Sequence, residues 1–309
     1  MRFGIKQIGL FLVIAFMGGA CASNPTEVSE TSTSTDATAQ NVATSDQAVT
    51  ELKVAVLPSV SSKEQQERIQ MLDEYLEQEL NVPVEIQLTG DYDTTVDLLV
   101  DGDVQMAYLG PLTYIQAKER NPELEPIVAH IEKSTGRPWY NSVIVAGTDS
   151  GINTLEALKG KRFGFVSQSS TSGFLVPSAE FKELGIDPEK DFAAIEYAGG
   201  HDKNAAALET GKVDAVALEK PTYIEVQQAG GLPEDQYKIV WESDPIPNSP
   251  IVVSSQLPAE FKTELRKVLI DAPEGLVGIG GIESAGYTLV SDEDYEPVRK
   301  MQRLLESGS

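Results

Sequence analysis

Two alternating rhythms of apolar and polar positions run along this chain. Residues 52–57 are nearly all apolar, as in a buried strand. Ser61-Ser-Lys-Glu64 has capping-box spacing, and Ile69, Leu72, Leu76 and Leu80 then recur at the period of a helix. Residues 82–88 read as the next strand, 92–100 as a short helix and 104–109 as a strand. Gly110-Pro111 turns that strand into another helix, since proline suits a first turn. Residues 127–131 and 141–146 read as strands. The style then repeats. A strand at 163–166 runs into a hydroxyl-rich loop, 167–172, and a helix with Leu175, Ala179, Phe181 and Leu184 that Gly185 stops. A strand at 193–197, a helix at 203–210 ended by Gly211 and a strand at 213–218 follow. Such alternation predicts an α/β fold with mostly parallel sheets and helices on both faces.

The N-terminal end has a different pattern. Met1-Arg-Phe-Gly-Ile-Lys6 is basic, 8–17 is apolar, and Gly18-Gly-Ala-Cys21 follows. The apolar run is too short to cross a bilayer, so 1–21 reads as an export signal. Cys21 is the single cysteine, which excludes an intramolecular disulfide. Residues 22–50 are rich in Ser, Thr and Ala without hydrophobic period, and predict a disordered tether. Residues 51–309 suffice for one large domain or two small ones.

The formal net charge of −24 argues against nucleic acid and against adhesion to anionic lipid. It does not exclude an anionic ligand, because donors at close range outweigh a screened surface field.

In α/β folds ligands bind where strand ends meet helix starts. Four such junctions carry polar or aromatic side chains: Pro58-Ser59, Gly110 to Tyr114, Ser169 to Ser172, and Gly199-Gly-His-Asp202 with Glu219 ending the neighbouring strand. In the third, free backbone N–H groups and the hydroxyls of Ser170, Thr171 and Ser172 form a nest for a tetrahedral oxyanion without any lysine. The same residues also suit an ordinary helix cap. His201 can donate an N–H into a cleft; the position equally suits a loop histidine. Donating from its charged form, it would lose affinity as pH rises. His130 closes an apolar stretch and reads as structural. Two histidines without a cysteine cluster predict no metal site. There is no G-x-S-x-G elbow, P-loop or dinucleotide fingerprint, so neither catalysis nor a cofactor is expected.

Longer motifs recur in a fixed order: Asp91-Tyr92, Ala107-Tyr-Leu-Gly-Pro-Leu-Thr-Tyr114, Trp139-Tyr-Asn-Ser142, Asp149-Ser-Gly-Ile152, Leu158-Lys-Gly-Lys161, Ser170-Thr-Ser-Gly173, Gly200-His-Asp202, Val213-Asp-Ala215 and Ile246-Pro-Asn-Ser-Pro-Ile251. Over 52–305 the chain resembles the PhnD-like periplasmic binding proteins, which serve ABC importers of phosphate, phosphite or phosphonate. The resemblance implies a two-lobed type II fold, with 51–146 plus 243–309 as one lobe and 147–242 as the other. Ligand would sit between them, held by Ser170, Thr171, Ser172 and His201. Tyr114 would add a hydroxyl and Tyr92 would line the cleft. Ser249 stands where the family pattern has aspartate, which favours small oxyanions over amine-bearing phosphonates. Glu219 would face the ligand's far end, unless it is a solvated strand-end acid. Cys21 resembles a lipobox cysteine, although Gly18 replaces the usual leucine. The implied partners are an ABC permease and a lipid anchor, on a membrane surface facing the periplasm or the cell exterior. Two alternatives stay open: an enzyme on the same fold, with His201 or Glu219 as base, and a sensory lipoprotein.

Overall fold

A computed structural model describes residues 48–60, 63–273, 276, 279–280 and 284–307. The expected export signal with Cys21, nearly all of the Ser/Thr-rich segment and the expected capping-box Ser61 lie outside the described residues.

The chain opens with β1 (Leu52–Val56), α1 (Lys63–Leu80), β2 (Val84–Leu88), α2 (Tyr92–Asp101), β3 (Met106–Tyr108), α3 (Pro111–Arg120) and β4 (Glu125–Glu132). It then passes through β5 (Trp139–Tyr140) into β6 (Ser142–Gly147), β7 (Arg162–Phe165), α4 (Val176–Glu183), α5 (Pro188–Asp191), β8 (Ala194–Tyr197), α6 (His201–Glu209), β9 (Ala215–Glu219), α7 (Lys220–Gln228) and β10 (Tyr237–Glu242). It returns through β11 (Ile246–Pro247) to β12 (Pro250–Val253), α8 (Ala259–Ile270), β13 (Ser284–Leu289) and α9 (Glu296–Glu306).

Two mixed sheets result. One has the order β13-β4-β12-β3-β1-β2, the other β10-β6-β9-β7-β8. Strands linked through a helix share one direction: β1 pairs parallel with β2 and β3, and β7 with β8 and β9. Reversed direction enters each sheet with the strand that arrives from the other sheet. β6 enters antiparallel between β9 and β10, and β12 antiparallel between β3 and β4. The expected mostly parallel sheets are thus mixed, because each crossing inserts a strand without a helical connection. The two crossing segments pair with each other, Ile246 opposite Tyr140 and Pro247 opposite Trp139. The sheet changes before Ser142, so the expected division at 146/147 would cut through the end of β6.

Each sheet is covered on both faces, which explains the apolar runs. In the second sheet, Phe163 packs against Phe165, Phe181 and Phe192 on one face, at ring separations of 4.8, 5.5 and 5.3 Å. Val143, Val145, Ala205, Leu208 and Leu218 fill the other. The sequence reading assigns no element after 218. β10 is only half-buried along its length, so it lacks the contrast of a strand pattern. The last helix, α9, reaches across to α4, where Lys182 Nζ donates to the Leu304 carbonyl at 2.6 Å. A cation suits the exposed carbonyls of a helix C-terminus.

Candidate ligand-binding site

Several strand ends converge on one small cavity of about 20 Å³. It is lined by Leu57 and Ser59 after β1, Tyr92 at the start of α2, Tyr108 and Gly110 around the end of β3, and Tyr140 of β5. Ser170, Thr171, Ser172, His201, Glu219 and Ser249 complete the wall. A wider groove flanks the edge strand β8, but Phe165, Phe174, Ile195 and Tyr197 make it mainly aromatic and aliphatic, unsuited to an oxyanion.

The loop after β7 owes its shape to Gly173. A Cβ there would lie 2.4 Å from Val166 Cγ2, so only glycine fits. Ser170 caps the following turn, its Oγ accepting the Gly173 N–H at 3.1 Å. Residues Thr171–Leu175 form a wide π-helical turn before α4 begins. Such turns recur at functional sites because they re-aim the side chains of a helix start. Ser142 Oγ ties the turn to β6 through the Ser172 carbonyl at 2.7 Å.

Three tyrosines face these hydroxyls. Tyr92 faces the Ser170 hydroxyl, and Tyr140 those of Ser172 and Thr171. Tyr108 instead faces Ser249. Burial pushes all three phenols up, so they remain neutral donors.

His201 opens α6 after Gly200, two residues earlier than the sequence pattern places the helix. Its backbone N–H donates to the Ser59 carbonyl at 2.8 Å. Its Nδ1 accepts the Glu219 N–H at 3.0 Å, so the neutral ring carries its proton on Nε2. Nε2 lies 4.0 Å from Glu219 Oε2, while Glu219 Oε1 accepts from Thr222 Oγ1 at 2.7 Å. Burial lowers His201 to about 3, against a smaller opposing effect of Asp202. Burial raises Glu219 to about 7, against the smaller effect of the Thr222 hydrogen bond. The two shifts run away from an ion pair, and the long separation agrees with them. Below about pH 7 both members of the pair are neutral. His201 is therefore a neutral donor, not the charged one considered above.

Tyr114 does not join the site. It is fully buried, its hydroxyl donates to Asp292 beside Arg299, and its ring meets Tyr295 edge-on at 4.9 Å. It faces the C-terminal segment instead. Sequence reasoning named Ser59 at its junction but passed over Tyr108 and Tyr140, each at a strand end within one of the motifs. His130 is buried and lowered to about 4 by that burial, its ring 6.2 Å from Tyr108. It packs behind the cavity wall. Among the described residues, no group of three or more His, Cys, Asp or Glu side chains could hold a metal ion. Nor is any helix among them long and apolar enough to cross a membrane.

Comparison with known proteins agrees with this architecture. Residues 54–295 match the family described as the phosphonate periplasmic substrate-binding protein of ABC transporters. The phosphate-import protein PhnD of Mycolicibacterium smegmatis is 31% identical over 268 residues, covering 80% of this chain and 84% of that protein. The phosphonates-binding periplasmic protein of Escherichia coli is 27% identical over 234 residues, covering 73% and 68%. In fold, the chain resembles PhnD1 of Prochlorococcus marinus, solved in complex with methylphosphonate, with a TM-score of 0.75 at 21% identity, covering 83% of this chain and 98% of that one. The chain belongs to the phosphonate-binding family of periplasmic substrate-binding proteins of ABC transporters.

Proposed function

We propose that this protein captures a small phosphorus oxyanion — phosphite, phosphate or methylphosphonate — and delivers it to an ABC permease. One observation carries the reading. The cavity gathers hydroxyl donors from Ser170, Thr171, Ser172 and three tyrosines, plus the His201 Nε2–H, around a single carboxyl group. Neutral donors in a dry cavity hold an oxyanion's several oxygens at once. Ser249 supports a ligand without an amine, since it offers a neutral dipole where an ammonium would need a carboxylate.

The two sheets act as lobes that close on the ligand. Three hydrogen bonds tie the flanking segments together: His201 N–H to the Ser59 carbonyl at 2.8 Å, Leu112 N–H to Thr171 Oγ1 at 2.9 Å and Ser169 Oγ to Asp93 Oδ1 at 2.7 Å. The lipid anchor on Cys21 is part of the proposal and rests on the sequence alone. It holds the protein at the outer face of the membrane, where the permease takes the ligand. Calorimetric titration with phosphite, phosphate, methylphosphonate and sulfate tests the reading. Saturable binding of at least one phosphorus compound is expected, and binding of none overturns it.

A further inference from the structure

Backbone at residue 280 lies close to the ring of the cavity residue Tyr108. Tyr108 is 3% exposed and ends β3. Of the three cavity tyrosines it is the one paired with Ser249 rather than with the hydroxyl loop. Gly280 packs against its phenol end. A Cβ at 280 would lie 2.5 Å from Tyr108 Cζ and the hydroxyl oxygen, and 2.6 Å from Cε1. Gly280 is not among the glycines with positive φ, so the requirement is for space rather than for a left-handed backbone. The Gly280 carbonyl oxygen also lies 3.5 Å from Ser59 Oγ, a second cavity residue. The preceding residue is anchored as well. Ile279 is buried and its N–H meets the Tyr287 hydroxyl at 3.4 Å.

We propose that Gly280 is a positioning residue that sets ligand selectivity, by fixing how far the Tyr108 ring projects into the Ser249 end of the cavity. The inference rests on the proposed function. Small phosphorus oxyanions share three oxygens and differ in the fourth substituent: hydrogen in phosphite, hydroxyl in phosphate, methyl in methylphosphonate. The serine–threonine loop and His201 supply donors for the oxygens, which leaves the fourth substituent toward the Tyr108–Ser249 side. A methyl group at 280 must push the ring by about 1 Å to reach ordinary carbon contact. Backbone on the other side cannot yield by changing rotamer, so the ring moves into the cavity. A ligand bearing hydrogen tolerates that loss of space better than one bearing methyl.

The test is titration of phosphite and methylphosphonate against wild type, Gly280→Ala, Tyr108→Phe and the double variant. In Gly280→Ala the preference for methylphosphonate over phosphite should fall roughly tenfold, the scale of a modest overpacking penalty. The double variant should recover part of it, because removing the phenol oxygen removes one of the three contacts. A purely structural role would lower both affinities together and leave their ratio alone; that result overturns the proposal. Where Gly280→Ala does not fold, the double variant compared with Tyr108→Phe decides, and its ratio must shift toward phosphite. A wild type that binds neither ligand overturns the proposed function and this inference with it. An unchanged ratio in proteins that bind both overturns the role of Gly280 alone.

Discussion

The backbone N–H of Glu219 donates to His201 Nδ1 at 3.0 Å, and this bond sets the chemistry of both residues. It leaves the histidine proton on Nε2 and places the Glu219 carboxyl 4.0 Å from it. Glu219 is raised to about 7 and His201 lowered to about 3, so near neutral pH it is the acid that titrates. Ionised Glu219 repels an anion. Affinity should therefore fall as pH rises through about 7, and Glu219→Gln should flatten the profile. Titrating one ligand against both proteins cancels the ligand's own ionisation. Parallel profiles would remove Glu219 from control of binding.

The same pair makes opposite contributions to stability. The raised Glu219 favours the folded state fully below its ordinary value of 4.5 and loses that contribution as pH climbs through about 7. The lowered His201 favours folding above its ordinary 6.5 and loses that contribution as pH drops through about 3. Urea unfolding of the ligand-free protein at about pH 5 and about pH 8 should show Glu219→Gln gaining relative to wild type at the higher pH. An equal difference at both would mean that the carboxyl is not raised.

Thr171 stands in two relationships at once. Its Oγ1 lines the cavity and accepts the Leu112 N–H at 2.9 Å. Thr171→Ala removes a donor for the ligand and orphans a buried N–H, so binding should weaken by about 1–3 kcal/mol. Thr171→Ser keeps the hydroxyl and should recover most of the loss. Calorimetry on both variants is the measurement. Equal losses in the two would shift the effect from the hydroxyl to the lost methyl.

Tyr114→Phe should leave ligand affinity unchanged. It should lower stability by about 1 kcal/mol or more, because a hydrogen bond to a charged partner, Asp292, is lost. Thermal unfolding and a binding titration on the same sample separate the two effects. A clear loss of affinity at unchanged stability would return Tyr114 to the binding site.

These residues also mark how far the sequence carried. Ser170, Thr171, Ser172, His201 and Glu219 were legible because polar side chains at strand-to-helix junctions in an α/β chain have few other reasons to cluster. Tyr108 and Tyr140 were not, because each ends an apolar stretch and reads as core. Which way such a phenol points depends on the neighbouring strand, which here comes from the far side of a crossing. Tyr114 misled because it follows Gly110 by one helical turn, a position that looks cavity-facing. Its partner Asp292 lies 178 residues away, beyond any local pattern. The strand–helix alternation was visible, but the reversed insertion of β6 and β12 was not. Strand direction follows from the two crossings between sheets, a long-range pairing that no window of sequence contains.

Ser249 should decide between amine-bearing and small ligands. Its side chain pairs with Tyr108, and Glu219 is the carboxyl group among the residues lining the same cavity. Burying an ammonium without a charged partner costs several kcal/mol, roughly 3 or more. Wild type should therefore favour phosphite or methylphosphonate over 2-aminoethylphosphonate. Ser249→Asp places a second carboxyl in the cavity. Two carboxyls in one buried site raise each other's pKa, so the variant should bind small dianions more weakly as pH rises. An ammonium would relieve that repulsion, and 2-aminoethylphosphonate should gain relative to methylphosphonate. Competition titrations of the three ligands against both proteins measure the exchange. If wild type already holds the aminoethyl compound most tightly, Glu219 alone carries the amine and Ser249 does not set the choice.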